Sequence, residues 1–197
     1  MKGAIILSRI PYQQIAAVRR DYHEMLETFN PQRVEVLRAY TPPDLLCCIR
    51  VRVNAPTYSV LRSRRIHPKS CKYLDCEIRV KKGYPCNPPT VWFYGDRILA
   101  SPGVTSTGLF QRPPRPDGNR FTAIVMDVIR AMLYADLHEA PEAADPVRAQ
   151  ALSDWQQTMQ RRGKFPTDTM ERYLRHPTPD APSPRLLHSR FRRGLRR

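Results

Sequence analysis

The sequence predicts an α+β domain: an N-terminal helix, a four-stranded antiparallel meander, and C-terminal helices packed on the sheet. Three observations predict it. Apolar residues recur at helical intervals over residues 11–29, alternate through the middle of the chain, and return to helical intervals from Phe121. Two of the alternating segments carry opposite charges at their outward positions, arginine on one and carboxylate on the other. The chain has 197 residues and 41% hydrophobic content, enough for one core of ordinary size. It holds no apolar run near the roughly 20 residues that span a bilayer.

Residues 11–29, PYQQIAAVRRDYHEMLETF, put Ile15, Val18, Tyr22, Met25 and Leu26 on one helical face and leave Arg19, Arg20 and Glu24 to solvent. Asn30-Pro31 stops this helix. Val34 to Arg38 reads as the first strand. In CCIRVRVN, Cys47, Ile49, Val51 and Val53 face one way and Cys48, Arg50, Arg52 and Asn54 the other. In KYLDCEIRV, Leu74, Cys76, Ile78 and Val80 face the core, while Asp75, Glu77 and Arg79 point out. Antiparallel pairing sets Arg50 and Arg52 against Asp75 and Glu77 on the solvent side. Residues 55–71, rich in Arg, Ser and Pro, read as a loop joining these two strands. The fourth strand is Thr90 to Tyr94; its Trp92 and Tyr94 share a face, where core packing is favoured over base stacking.

A coil with RPPRPDGN at 112–119 leads to a helix over 121–134. There Phe121, Ile124, Val125, Val128, Ile129, Met132 and Leu133 form a stripe that needs a sheet to lie on. Asp145 and Pro146 supply an N-cap and a first-turn proline for the next helix. Val147, Ala151, Leu152, Trp155 and Met159 mark its buried face, and Gly163 ends it. The domain is expected to cover 1–175, and 176–197, with six arginines in its last 13 positions, reads as a disordered basic tail.

The formal net charge is +15, with 33 Lys+Arg against 18 Asp+Glu, so the chain attracts acidic partners, nucleic acid included. An arginine-rich composition also fits a GC-rich genome. The candidate nucleic-acid-binding residues of the tail are Arg190, Arg192, Arg193, Arg196 and Arg197. Cysteines stand at 47, 48, 71, 76 and 86, an odd number with two adjacent and no secretory signal before them. Reduced thiols in a cytoplasmic protein are the expected state, with Cys47 and Cys76 as small core residues. No metal is expected: Cys71 and Cys76 have no second spaced pair, and the histidines at 23, 67, 138, 176 and 188 are scattered. No Gly-rich phosphate loop occurs, and no cofactor or membrane partner is expected.

Tyr84-Pro85-Cys86-Asn87-Pro88-Pro89 lies between the third and fourth strands. Pro88 and Pro89 force extended backbone ahead of the fourth strand, and Tyr84 is placed to cap the sheet edge. Together with the order helix, meander, long coil and helices, this Tyr-Pro-x-x-Pro-Pro segment resembles the ubiquitin-conjugating-enzyme family over roughly residues 11–170. The resemblance implies that family's fold, and it also locates a departure. Downstream the family has His-Pro-Asn, a hydrophobic residue, a short turn ending in Gly, two residues and the catalytic Cys. Here Ser101-Pro102-Gly103-Val104 stands for the first group and Thr105-Ser106-Thr107-Gly108 for the turn, so the slot falls on Gln111. An amide cannot carry a thioester. Gly103 in place of the Asn also removes an oxyanion donor.

The chain therefore looks like the family's cysteine-less variants, and no catalytic residue is expected. By that resemblance its work is binding in a ubiquitin-like pathway, a bacterial one among the readings. The partner would be a ubiquitin-like protein, an activating enzyme or a partner conjugating enzyme. The enzyme alternative uses Cys86 as a displaced thiol, although a packing role is favoured for it, or Ser106, Thr105 or Thr107 as a hydroxyl nucleophile. A hydroxyl needs a nearby base, for which His67 and His138 are the candidates. The remaining class is a nucleic-acid binder relying on the tail and the 62–69 loop, which a contiguous arginine face would favour.

Overall fold

Helix α1 covers Tyr12–Thr28 in this computed structural model, which describes residues 11–62, 66–112, 119–135 and 145–175. Val18, Tyr22 and Met25 are buried, as their spacing requires, with Ile15 and Leu26 at the margin. Asp21 is buried beside them, a carboxylate that apolar periodicity had no means of placing. The helix stops where Phe29 turns extended, and Asn30 gives its N–H to Tyr173 O at 2.9 Å instead of continuing the spiral.

Among the described residues eight strands follow: β1 (Val34–Tyr40), β2 (Cys47–Val53), β3 (Thr57–Leu61), β4 (Lys69–Cys71), β5 (Leu74–Val80), β6 (Thr90–Tyr94), β7 (Arg97–Leu99) and β8 (Leu109–Phe110). All pairs are antiparallel, in a sheet ordered β1-β2-β5-β6-β8 and a smaller one ordered β4-β3-β7. The fold class is α+β. The β2–β5 register is the one the charge pattern asks for, with Arg50 opposite Glu77 and Arg52 opposite Asp75. Their ion pairs close at 2.8 and 2.7 Å. Ile49, Val51, Val53, Ile78 and Val80 on the inner face are fully buried.

The described residues of the segment 55–71 are not all loop. They contain β3 and β4, paired with each other and, through β3, with β7. Thr57 and Ser59 are buried, and their hydroxyls reach Met132 O at 2.7 Å and Lys69 O at 3.4 Å. Hydroxyl side chains that find acceptors can face a core, and they hide a strand from a search for apolar alternation. The outer face also departs from expectation. Glu77 is 3% exposed and Cys48 fully buried, covered by the long side chains around them. Trp92 and Tyr94 lie on that outer face and not in the core, because Val91 and Phe93 pair with Ile78 and Cys76 and take the inner positions.

Helix α2 (Phe121–Met132) contributes Phe121, Ile124, Val125, Val128, Ile129 and Met132 to the core shared with the inner strand residues. Helix α3 (Pro146–Arg161) starts as its sequence demands, with Asp145 accepting from Arg148 N at 3.0 Å. Its buried face is rotated from the expected one. Leu152 is buried, but Val147 is 80% exposed and Ala151 is exposed, while Arg148, Ala149 and Gln156 face inward. The long stems of Arg148 and Gln156 supply the apolar cover that few residues of this helix provide. Trp155 stands edge-on to Tyr58 and Tyr134, and Phe165 stacks on Tyr134 at 4.4 Å. A 3-10 turn at Met170–Tyr173 brings Leu174 back to bridge Phe29. Among the described residues no helix is long and apolar enough to cross a membrane.

Candidate functional site

The loop between β5 and β6 is anchored by one side chain turned inward. Tyr84 is 1% exposed, its ring 5.5 Å from that of Phe121. Its hydroxyl donates to the buried carboxylate of Asp21 and lies 3.2 Å from Asn119 O. Burial, and then the Asp21 carboxylate, push the Tyr84 phenol well above its ordinary range. Arg20 Nε meets the other Asp21 oxygen at 3.1 Å. Tyr84 thus ties the loop to α1 and α2, and the sheet-edge role expected for it is not the one it plays. Gly83, at φ +92°, gives its N–H to Gln14 Oε1 at 3.0 Å, and Asn119 Nδ2 reaches Pro85 O at 2.7 Å. Pro88 is exposed and Pro89 buried, directly before β6.

With Tyr84 turned in, Pro85, Cys86, Asn87 and Pro88 are all exposed. Cys86 therefore does not pack, contrary to expectation, and no hydrogen bond or ion pair of its side chain is present among the described residues. The other thiols are buried or half-buried. Burial, then the neighbouring Cys48, push Cys47 up to about 12, and burial first of all pushes Cys48 to about 11 and Cys76 to about 12. Cys71 is raised by burial as well. These four thiols stay protonated at neutral pH and offer no thiolate.

Ser101, Pro102, Gly103 and Val104 are buried in a tight bend. Ser101 Oγ accepts from Gly103 N at 3.3 Å, and Ser101 O accepts from Val104 N at 3.1 Å. The turn that follows closes on itself. Gly108 N donates to Thr105 O at 2.9 Å, Leu109 N to Thr105 Oγ1 at 3.0 Å, and the Thr105 and Thr107 hydroxyls are 2.8 Å apart. Gly108 has φ +93°, and a Cβ there would stand 2.7 Å from Phe93 O, so glycine alone fits. Beyond the turn, Val104 bridges Phe110, and Gln111 N donates to Gly103 O at 2.8 Å. Gly103 and Gln111 are therefore bonded neighbours.

Arg112 then clamps the segment to α2. Its Nε and Nη2 lie 3.2 and 3.0 Å from Asp127 Oδ2, with the two side chains 10% and 2% exposed. Sequence reasoning missed this pair. The available signal was a carboxylate inside the apolar run of α2, since a charge in such a run requires a partner.

Thr105 is occupied by the turn, Ser106 is half-buried and Thr107 exposed. Among the described residues no imidazole, thiol or carboxylate hydrogen-bonds a hydroxyl of Thr105, Ser106 or Thr107. His67 is exposed, and His138 lies outside the described residues. So do residues 63–65 of the arginine-rich loop, residues 176–197, and with them Arg190, Arg192, Arg193, Arg196 and Arg197. No group of three or more His, Cys, Asp or Glu able to hold a metal occurs among the described residues. Neither protein-family models nor curated proteins give a match to this chain.

Proposed function

We propose that this chain is a non-catalytic binding module of the ubiquitin-conjugating type, acting in a ubiquitin-like modification pathway. The observation that carries the reading is the contact between Gln111 N and Gly103 O at 2.8 Å. If the resemblance holds, these are the positions of the thiol and of its oxyanion-steadying amide. They meet in space, as a shared reactive corner requires, yet neither has a nucleophilic side chain. The segments around them are held in place: Tyr84 is anchored, Pro89 leads into β6, Gly108 holds its turn, and Arg112 is bound to Asp127. A held frame without a reactive group suits recognition. The free cysteines among the described residues fit a cytoplasmic setting.

The partner belongs to one of three classes: a ubiquitin-like protein, an activating enzyme, or an active conjugating enzyme. Calorimetric titration against each of these, taken from the same organism, tests the proposal. At least one should bind, with affinity unchanged by Cys86→Ala or Ser106→Ala. Absence of binding to all three would overturn it.

A further inference from the structure

The outer face of the β1-β2-β5-β6 sheet is ordered in rows. Glu35, Arg52, Asp75 and Tyr94 form one row across the strands. Arg38, Arg50, Glu77 and Trp92 form the next, and Tyr40, Cys48, Arg79 and Thr90 the third. Three of the four arginines are fixed twice, by a carboxylate and by a ring. Arg50 Nε is 2.8 Å from Glu77, and its guanidinium lies 4.0 Å from the Tyr94 ring. Arg52 Nε is 2.7 Å from Asp75, with its guanidinium 4.3 Å from Tyr73. Arg79 Nε is 2.7 Å from Glu77, with its guanidinium 4.8 Å from Trp92. The fourth, Arg38, lies 4.8 Å from Tyr40. Flat cationic and aromatic groups are thereby held in place while still reaching solvent, with Tyr73 48% and Tyr94 47% exposed.

We propose that this face binds single-stranded nucleic acid, with unpaired bases stacking on Tyr73 and Tyr94 and on the guanidinium planes between them. Every base has a π-face, and an arginine-aromatic sheet surface is a general platform for it. A groove of about 460 Å³ opens beside the rows, with Tyr73, Tyr94, Leu61, Asp96 and Arg97 among its lining residues. It has the size and the mixed lining that a base turned out of the strand requires. Phosphates find cations at both ends of β5: Lys72 before it, Lys81 and Lys82 after it, all exposed. The chain's net charge of +15 suits a polyanion. On the face itself Arg38, Arg50, Arg52 and Arg79 are nearly offset by Glu35, Asp75 and Glu77, leaving 4 − 3 = +1. Stacking, not charge, therefore carries the recognition, which separates it from any unselective attraction to the basic C-terminal segment. The proposal does not depend on the pathway reading.

The test uses the full chain with a single-stranded oligonucleotide, an abasic strand of the same length, and a duplex. Wild type should bind the base-bearing strand about tenfold or more tighter than the abasic strand, and tighter than the duplex. In Tyr73→Ala/Tyr94→Ala that preference should vanish, with affinity for the abasic strand unchanged. Tyr73→Phe/Tyr94→Phe, which keeps the rings, should retain it, and both variants should melt like wild type. Equal affinity for base-bearing and abasic strands in wild type would overturn the proposal, as would no binding to either. A double alanine variant that keeps its preference for bases, or that loses binding to a protein partner instead, would overturn it too.

Discussion

The Gln111 corner and the outer sheet face share strand β6 and use their polar groups in opposite ways. In the corner the hydrogen bonds close on the chain itself: Gly103 with Gln111, Thr105 with Leu109, Arg112 with Asp127. On the outer face the ion pairs hold arginines over rings that remain exposed. One region has polar groups that make structure; the other has polar groups that present a surface. The contrast directs attention to the sheet as well as to the corner.

Both regions stand on the inner face of the sheet, so the largest effect is expected there. Ile78→Asp and Ile49→Asp each put a carboxylate at a fully buried position without a partner, and Leu74→Asp does nearly the same. Each should unfold the domain, and a thermal melt with the wild-type midpoint would break the sheet assignment beneath both regions. Next comes Asp127→Ala, which removes the carboxylate that Arg112 Nε and Nη2 reach. The cost should be about 1.5–3 kcal/mol in urea unfolding, the range of hydrogen bonds to a charged group. The loss is confined to the corner, so binding at the outer face should survive in the folded fraction. A cost below about 1 kcal/mol, the range of an exposed ion pair, would mean the corner is not clamped.

The third effect belongs to the outer face. Burial alone would raise the Glu77 carboxyl, but hydrogen bonds from Arg50, Arg79, Cys48 and Tyr40 outweigh it and bring the group down to about 2. A carboxyl lowered by folding stabilises the fold above its unfolded value, near 4.5, and loses that contribution as pH falls toward 2. The contribution at neutral pH is ~3 kcal/mol from the size of the shift. Urea unfolding followed from pH 7 down to 2 should show this loss in wild type and a flatter profile in Glu77→Gln. Identical pH profiles for the two would show that Glu77 is not what holds the arginines.

Much of this was readable in the sequence where two signals coincided. Alternation together with opposite charges predicted that the arginines of β2 face the carboxylates of β5, and the pairing is Arg50 with Glu77 and Arg52 with Asp75. Helical spacing over an apolar stripe set α1 and α2. Single signals failed. Alternation put Trp92 and Tyr94 on one face but could not say which; that depended on Val91 and Phe93 meeting Ile78 and Cys76. Strand β3 was hidden because Thr57 and Ser59 face inward with their hydroxyls paired. The face of α3 was misjudged because Arg148 and Gln156 are buried along it. The corner was expected only through a resemblance to a known motif. Cys86 was judged by what such motifs place there, while its exposure follows from Tyr84 alone turning inward.

The most direct test of the central claim is an adduct assay. The full chain is incubated with an activating enzyme and a ubiquitin-like protein from the same organism and ATP, then resolved with and without reducing thiol. No adduct should form, because position 111 holds an amide, the four shielded thiols stay protonated, and among the described residues no base is hydrogen-bonded to Ser106. A thiol-labile adduct that disappears in Cys86→Ala would contradict the account. So would a thiol-resistant, hydroxide-labile adduct that disappears in Ser106→Ala.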